Sequence, residues 1–174
     1  MLKPTVLYKE ELERKFAEQL YTEDYYLYTG YGHCNSLPSI KAEDNVYQYA
    51  IISGSGSVIG YFSYDVDPQN DCAKNFGYYS FDKGNITVAK DVFGKMEELV
   101  ANFRRVEWRM IGGNRVEKHY DKFCFSHGGS KVVLHDVCKD AYGRYRDVCI
   151  YEIVRVEEGK QSRVVEVERN KRGD

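Results

Sequence analysis

The feature that most constrains this chain is the run from 76 to 111. Phe76-Gly77-Tyr78-Tyr79-Ser80-Phe81 reads as a strand, and Lys83-Gly84-Asn85 interrupts it. Val88, Val92, Phe93, Met96, Leu99, Val100 and Phe103 then recur at the spacing that lines up apolar side chains on one face of a helix. Val106-Glu107-Trp108-Arg109-Met110-Ile111 reads as a strand again. A strand, a helix of this length and another strand make a βαβ crossover, which returns its second strand parallel to the first. An α/β fold with a central parallel pair follows.

The flanks are simpler. Leu7, Leu12, Phe16 and Leu20 predict an amphipathic helix over 6–20, and 21–31 continues as a second short helix before Gly30, Gly32 and Pro38 break the chain. Strands over 46–53 and 58–66 flank Gly54-Ser55-Gly56-Ser57, a hairpin turn that lacks the lysine and following helix of a nucleotide-binding loop. After Gly112-Gly113, Asn114-Arg115-Val116-Glu117 has the spacing of a capping box, with Asn114 as cap and Glu117 reaching back, and predicts a helix to about 126 that stops at Gly128-Gly129. Strands over 132–138 and 145–154 close the domain as an antiparallel hairpin.

The 174 residues allow one sizeable core, and one domain over 1–155 is expected, with 156–174 a charged tail or edge strand. With 25 Lys and Arg against 27 Asp and Glu, the formal charge is −2, so no global basic excess points to nucleic acid. No apolar run suits a signal peptide or a membrane span, and the expected location is cytoplasmic. The cysteines, Cys34, Cys72, Cys124, Cys138 and Cys149, are odd in number and form no Cys-x-x-Cys pair, which reads as reduced thiols. His33-Cys34 and His135-x-x-Cys138 each lack a second pair at metal-binding spacing, so no metal is expected. Sixteen tyrosines, clustered at Tyr21, Tyr25, Tyr26, Tyr28 and Tyr31, suit either half-buried packing or the wall of a pocket.

The order helix, helix, hairpin, strand, helix, strand, helix, hairpin resembles the GNAT N-acetyltransferases over about 46–154, and 108–121 (WRMIGGNRVEKHYD) is similar to a bacterial subgroup of GNAT-like proteins. The resemblance implies a mixed, mostly antiparallel sheet with a central parallel crossover, helices on both faces and a C-terminal hairpin. It also implies acetyl-CoA as co-substrate, direct transfer of the acetyl group to an amine of a small molecule or peptide, and a possible homodimer. The family's pyrophosphate loop opens the crossover helix, where small residues let backbone N–H groups surround an anion at the positive end of the helix dipole. Here Ala89 conforms to that pattern, Thr87 stands in place of the first Gly, and Gly84 in place of Arg or Gln. The resemblance thereby assigns Lys83, Gly84, Asn85, Thr87, Val88, Ala89 and Lys90 to the cofactor, with Lys83 and Lys90 supplying the missing cation. Thr87 also suits a helix N-cap.

By the same resemblance, Asn114 opens the last helix beside the cofactor, and Tyr120 stands where the family carries the acid that meets the leaving thiolate. The N–H of Ser80 or Phe81 would polarise the thioester carbonyl, and Asp82 and Glu107 are the candidate bases. Tyr25, Tyr28, Tyr31 and His33 would build the acceptor pocket. Two alternatives fit the same residues: a GNAT-fold module that binds acyl-CoA without turnover, and a protein-interaction domain whose contact face is the tyrosine cluster.

Overall fold

The structure, a computed structural model, describes residues 1–29, 37–140 and 142–155. The chain opens with β1 (Leu2–Pro4), a 3-10 turn (Thr5–Tyr8), α1 (Lys9–Ala17) and α2 (Glu23–Thr29). A meander follows, of β2 (Val46–Ile52), β3 (Val58–Asp67) and β4 (Cys72–Ser80). Then come α3 (Ile86–Asn102), β5 (Arg105–Ile111), α4 (Glu117–Ser126), β6 (Ser130–Lys139) and β7 (Tyr145–Val154). The seven strands form one sheet in the order β1-β2-β3-β4-β5-β7-β6, antiparallel throughout except for β4 against β5. The expected mixed sheet with a central crossover is therefore present.

Each face of the sheet buries its own core. α1 and α2 cover one face, where Leu12, Phe16 and Tyr25, all fully buried, meet Ala50, Tyr61 and Tyr79. α3 and α4 cover the other. There Val88, Val92, Met96 and Leu99 of α3 and Tyr120, Phe123 and Cys124 of α4 pack on Phe62, Phe76, Trp108 and Tyr151. Burying each such large apolar side chain contributes about 1.5–3 kcal/mol, so the stripe read from α3 alone is enough to dock that helix. α4 gains a polar anchor: Lys131 of β6 donates to Glu117 (2.9 Å) and Asp121 (2.8 Å), and the Tyr151 hydroxyl also donates to Asp121 (2.7 Å).

The feature that positions the site is a defect in the sheet. β4 and β5 pair only at Cys72↔Arg105 and Ala73↔Val106, and beyond that the strands part. Aromatic rings fill the wedge on the α3/α4 side. Phe76 lies 4.7 Å from Trp108, and Tyr120 lies 5.9 and 5.7 Å from those two rings. These rings pack against one another on the face of the sheet where the two strands are no longer paired.

Several boundaries differ from the sequence reading. The first helix begins only at Lys9, because 5–8 forms a 3-10 turn that leaves Leu7 70% exposed instead of in the stripe. β1, too short to show alternation, pairs with β2 at Leu2↔Ile51. The strand expected over 76–81 starts at Cys72, so the hairpin becomes a three-stranded meander. The N-cap of α3 is Asn85, not Thr87: the Asn85 carboxamide oxygen accepts the Thr87 N–H at 2.9 Å. α4 begins at Glu117, three residues past Asn114. The expected reciprocal bonds exist one step displaced, Asn114 Oδ1 accepting from the Val116 N–H (3.2 Å) and Glu117 reaching back to the Gly113 N–H (2.9 Å).

Candidate functional site

Where β4 and β5 separate, the backbone of β4 loses a partner. N–H groups along a strand alternate between its two neighbours. Phe81 donates to the Ile59 carbonyl of β3 at 2.9 Å, so Tyr79 faces the same way, while Tyr78 and Ser80 direct their N–H groups across the gap toward β5. Of the two residues expected to offer an N–H there, Ser80 faces the gap and Phe81 is already bonded to β3.

The gap opens into a cavity of about 340 Å³. Gly77, Tyr78, Tyr79 and Ser80 of β4 form one wall, continued by Lys83 and Gly84 at the approach to α3. Arg109 and Met110 of β5 form the other, continued by Gly113, Asn114, Arg115 and Val116. Tyr120 rises from α4 as the floor, and Glu23, Asp24, Leu27 and Tyr28 of α2 close the remaining side. Gly77 lies beneath the Tyr28 ring, which a Cβ there would meet at 3.5 Å, an ordinary packing contact.

Tyr120 is 4% exposed, and Phe76, Tyr78, Phe93, Trp108 and Tyr151 surround its ring. Among the described residues its hydroxyl makes no hydrogen bond. Burial pushes its pKa well above the ordinary tyrosine value, and the neighbouring hydroxyls of Tyr78, Tyr151 and Tyr28 add to the shift. It is therefore a neutral donor facing the cavity. Tyr28 is raised in the same way, by burial first and by Tyr61 second.

Ion pairs tie α2 across the mouth. Asp24 pairs with Lys83 at the turn before α3, and Glu23 pairs with Arg146 (3.1 Å) and Arg144 (3.5 Å) of the last hairpin. Asp140, 7% exposed, accepts from both arginines, from Arg144 at 2.8 Å and from Arg146 at 3.3 Å. Gly113 turns the chain after β5 at φ +82°, a conformation that favours glycine, beside the Arg146 guanidinium.

The other residues named from the sequence scatter. Ser80, Lys83, Gly84, Asn114, Tyr28 and Tyr120 line one cavity. Tyr25 is fully buried in the α1/α2 core, and Phe81 packs 5.0 Å from Phe16 in the same layer. Val88 is buried beneath α3, whereas Thr87, Ala89 and Lys90 are exposed on its first turn. Neither candidate base lies on the cavity. Asp82 is exposed and accepts from the Asn85 side chain (2.7 Å), and Glu107 pairs with Arg105 (2.7 Å). Tyr31 and His33 lie outside the described residues. Glu23, Asp24, Arg109 and Arg115 escaped sequence reasoning, because no motif marks them and only the approach of α2 to the β5 end brings them together.

No family model matches the sequence, and no curated protein matches it. Solved structures do match. An N-acetyltransferase from Staphylococcus aureus Mu50 is 15% identical over 88% of this chain and 97% of its own, with a TM-score of 0.62. A GNAT-family protein from Chromobacterium violaceum ATCC 12472 is 16% identical over 88% and 85%, also at 0.62. The ribosomal-protein-S18-alanine N-acetyltransferase from Escherichia coli is 11% identical over 69% and 77%, at 0.53. Against another acetyltransferase the chain spans 60% of the other protein's length. No helix among the described residues is long and apolar enough to cross a membrane. With its parted central strands, its crossover helix and the neighbours it superposes on, the chain has the fold of the GNAT acetyltransferases.

Proposed function

We propose that the protein is a cytoplasmic N-acetyltransferase that transfers an acetyl group directly from acetyl-CoA to a primary amine. The observation that carries this is the pairing of two donors across one cavity: the free Ser80 N–H on the parted strand and the Tyr120 hydroxyl on the floor. A thioester lying in the gap would have its carbonyl oxygen met by the first and its sulfur by the second. Donors aimed where negative charge develops are the largest single contribution in acyl transfer.

The residues fit the coenzyme unevenly. The gap offers an extended slot with unpaired backbone donors, which suits a pantetheine arm. At the start of α3, Gly84 at φ +83° has open space above its backbone, and Lys83 and Lys90 supply positive charge. Asn85, however, already caps the Thr87 N–H, and Asp82 stands beside it. Fewer backbone donors therefore remain for a pyrophosphate than a Gly-rich loop provides, and the helix dipole and lysines carry more of the work. That same observation favours a second reading, a module that binds acyl-CoA without turnover.

For the base, the proposal moves to α2. Asp82 and Glu107 do not line the cavity, whereas Glu23 and Asp24 do. A second copy of the chain is proposed to meet β6, an edge strand of the sheet among the described residues, which exposes Val132, Leu134 and Val137.

Thermal melting with acetyl-CoA, CoA and ATP tests the cofactor first. Ligand at about a hundredfold excess over its dissociation constant adds roughly 2.7 kcal/mol, so the two thiol-cofactor species should raise Tm and ATP should not. Thiol release across an amine panel then separates the readings. Turnover supports the transferase, binding without turnover supports the module, and no shift at millimolar acetyl-CoA sinks both.

A further inference from the structure

The charges lining the cavity do not cancel. Five charged side chains reach it: Glu23, Asp24, Lys83, Arg109 and Arg115. Glu23 is neutralised by Arg144 and Arg146, and Asp24 by Lys83. Arg109 and Arg115 have no ion pair and no hydrogen bond among the described residues. Arg105, four residues earlier on the same strand, shows the ordinary arrangement, held by Glu107 at 2.7 Å and Glu152 at 3.1 Å. The cavity therefore contains cationic groups with no counter-charge among the described residues, in a chain that has more acidic than basic residues.

The direction of Arg109 follows from the pleat. Val106, Trp108 and Met110 are buried in the core beneath α3 and α4, so Arg105, Glu107 and Arg109 project from the opposite face, the one α1 and α2 cover. Arg109 thus enters the cavity from the side away from the α3 N-terminus, where the coenzyme phosphates are proposed to bind. It stands instead beside Tyr28 and Leu27 of α2, on the side left for the acceptor.

We propose that the acceptor is a small amine bearing a carboxylate, and that Arg109 recognises that carboxylate. This rests on the transferase reading above. A guanidinium presents two parallel N–H groups in the geometry a carboxylate accepts, and the solvent-exposed Arg109 shares its cavity with Tyr28 and Tyr79 of the same face. The same charge helps the chemistry, because a cation nearby disfavours protonation of the amine and keeps the nucleophile neutral. It also rejects polycations, which would bring uncompensated positive charge to two unpaired arginines.

The test compares amino acids with their decarboxylated amines, matched in side chain, as acceptors in a thiol-release assay. In the wild-type protein the carboxylate member should have a kcat/KM higher by about 10- to 100-fold, the range of a charge-assisted hydrogen bond. In Arg109→Gln that preference should fall to about twofold while the KM for acetyl-CoA stays within about twofold, and Arg109→Lys should restore part of it. Preference for the decarboxylated amine, or a preference that survives in Arg109→Gln, overturns the proposal. So does a raised KM for acetyl-CoA with unchanged amine preference, which would place Arg109 on the coenzyme. Calorimetry with acetyl-CoA keeps the two readings apart. Intact coenzyme binding without carboxylate preference removes this proposal and leaves the transferase standing. If acetyl-CoA does not bind, titrating the same amino acids into the free protein decides: binding that Arg109→Gln abolishes keeps the anion site, and no binding removes it.

Discussion

Tyr120→Phe removes one oxygen and leaves its surroundings in place. Trp108, Phe76, Tyr151, Phe93 and Tyr78 hold the ring with centroids 5.7 to 6.4 Å away, and none of those contacts uses the hydroxyl. Because the hydroxyl faces the cavity and has no hydrogen-bond partner among the described residues, removing it breaks no protein hydrogen bond. The variant should therefore melt within about 2 °C of the wild type or above it; at this chain length 1 kcal/mol corresponds to roughly 2–4 °C. Activity should behave oppositely. Loss of one preorganised donor costs about 10²- to 10³-fold in kcat, or roughly 2.7–4 kcal/mol of transition-state stabilisation. Thiol release at saturating acetyl-CoA and the preferred amine, beside calorimetric melting of both proteins, measures the two quantities. A kcat within threefold of wild type would refute the role given to Tyr120, and a Tm drop beyond about 4 °C would refute the claim that its hydroxyl is unpartnered. Burial raises the Tyr120 pKa, so any alkaline limb it sets must lie above pH 10, and a limb at pH 8 to 9 has another origin.

Gly129→Ala should destabilise strongly: its Cβ would meet the Glu152 carbonyl oxygen at 2.5 Å and Cys124 Sγ at 2.6 Å, an overpacking cost of about 1–3 kcal/mol, seen as a Tm loss of several degrees. Gly54→Ala, with nothing within 4 Å, is the control and should melt unchanged. Burial pushes the Asp140 carboxyl up, but hydrogen bonds from the backbone and guanidinium of Arg144 and from the Tyr142 N–H outweigh it and bring the pKa to about 2. Its folded value lies below the unfolded one, so the contribution is present above about pH 4 and is lost as pH falls toward 2; Asp140→Asn should flatten the acid limb of a Tm-versus-pH curve in that window. Asp24→Asn frees Lys83 and should tighten acetyl-CoA binding two- to fivefold at low salt, the scale of an exposed ion pair, and titration calorimetry that finds weaker binding would reverse the role given to Lys83.

The elements with strong periodicity could be read without the fold. The α3 stripe, the alternation of β5 and the final hairpin follow from side-chain spacing alone, because each buries one face against whatever lies beneath it. Boundaries were harder where a local competitor intervened. Asn85 took the cap expected of Thr87, since its side chain accepts the Thr87 N–H and starts the helix two residues earlier. Leu7 broke the first stripe because the chain enters α1 through a 3-10 turn. Tyr120 could be placed on an apolar stripe, but nothing in the stripe says that its hydroxyl faces a cavity.

What the sequence determined by itself is the βαβ crossover and hence the parallel pair, because a connection of that length and apolar pattern has one stable way to return. Tertiary structure alone decided that this pair holds for only two residue couples and then parts, leaving Ser80 unpaired on its β5 side and opening the cavity over Tyr120. It alone brought α2 beside β5, pairing Glu23 and Asp24 with distant cations and leaving Arg109 without an ion pair among the described residues. Periodicity records which face of an element is buried, whereas a site records which ends of distant elements meet, and no local pattern carries that second kind of information.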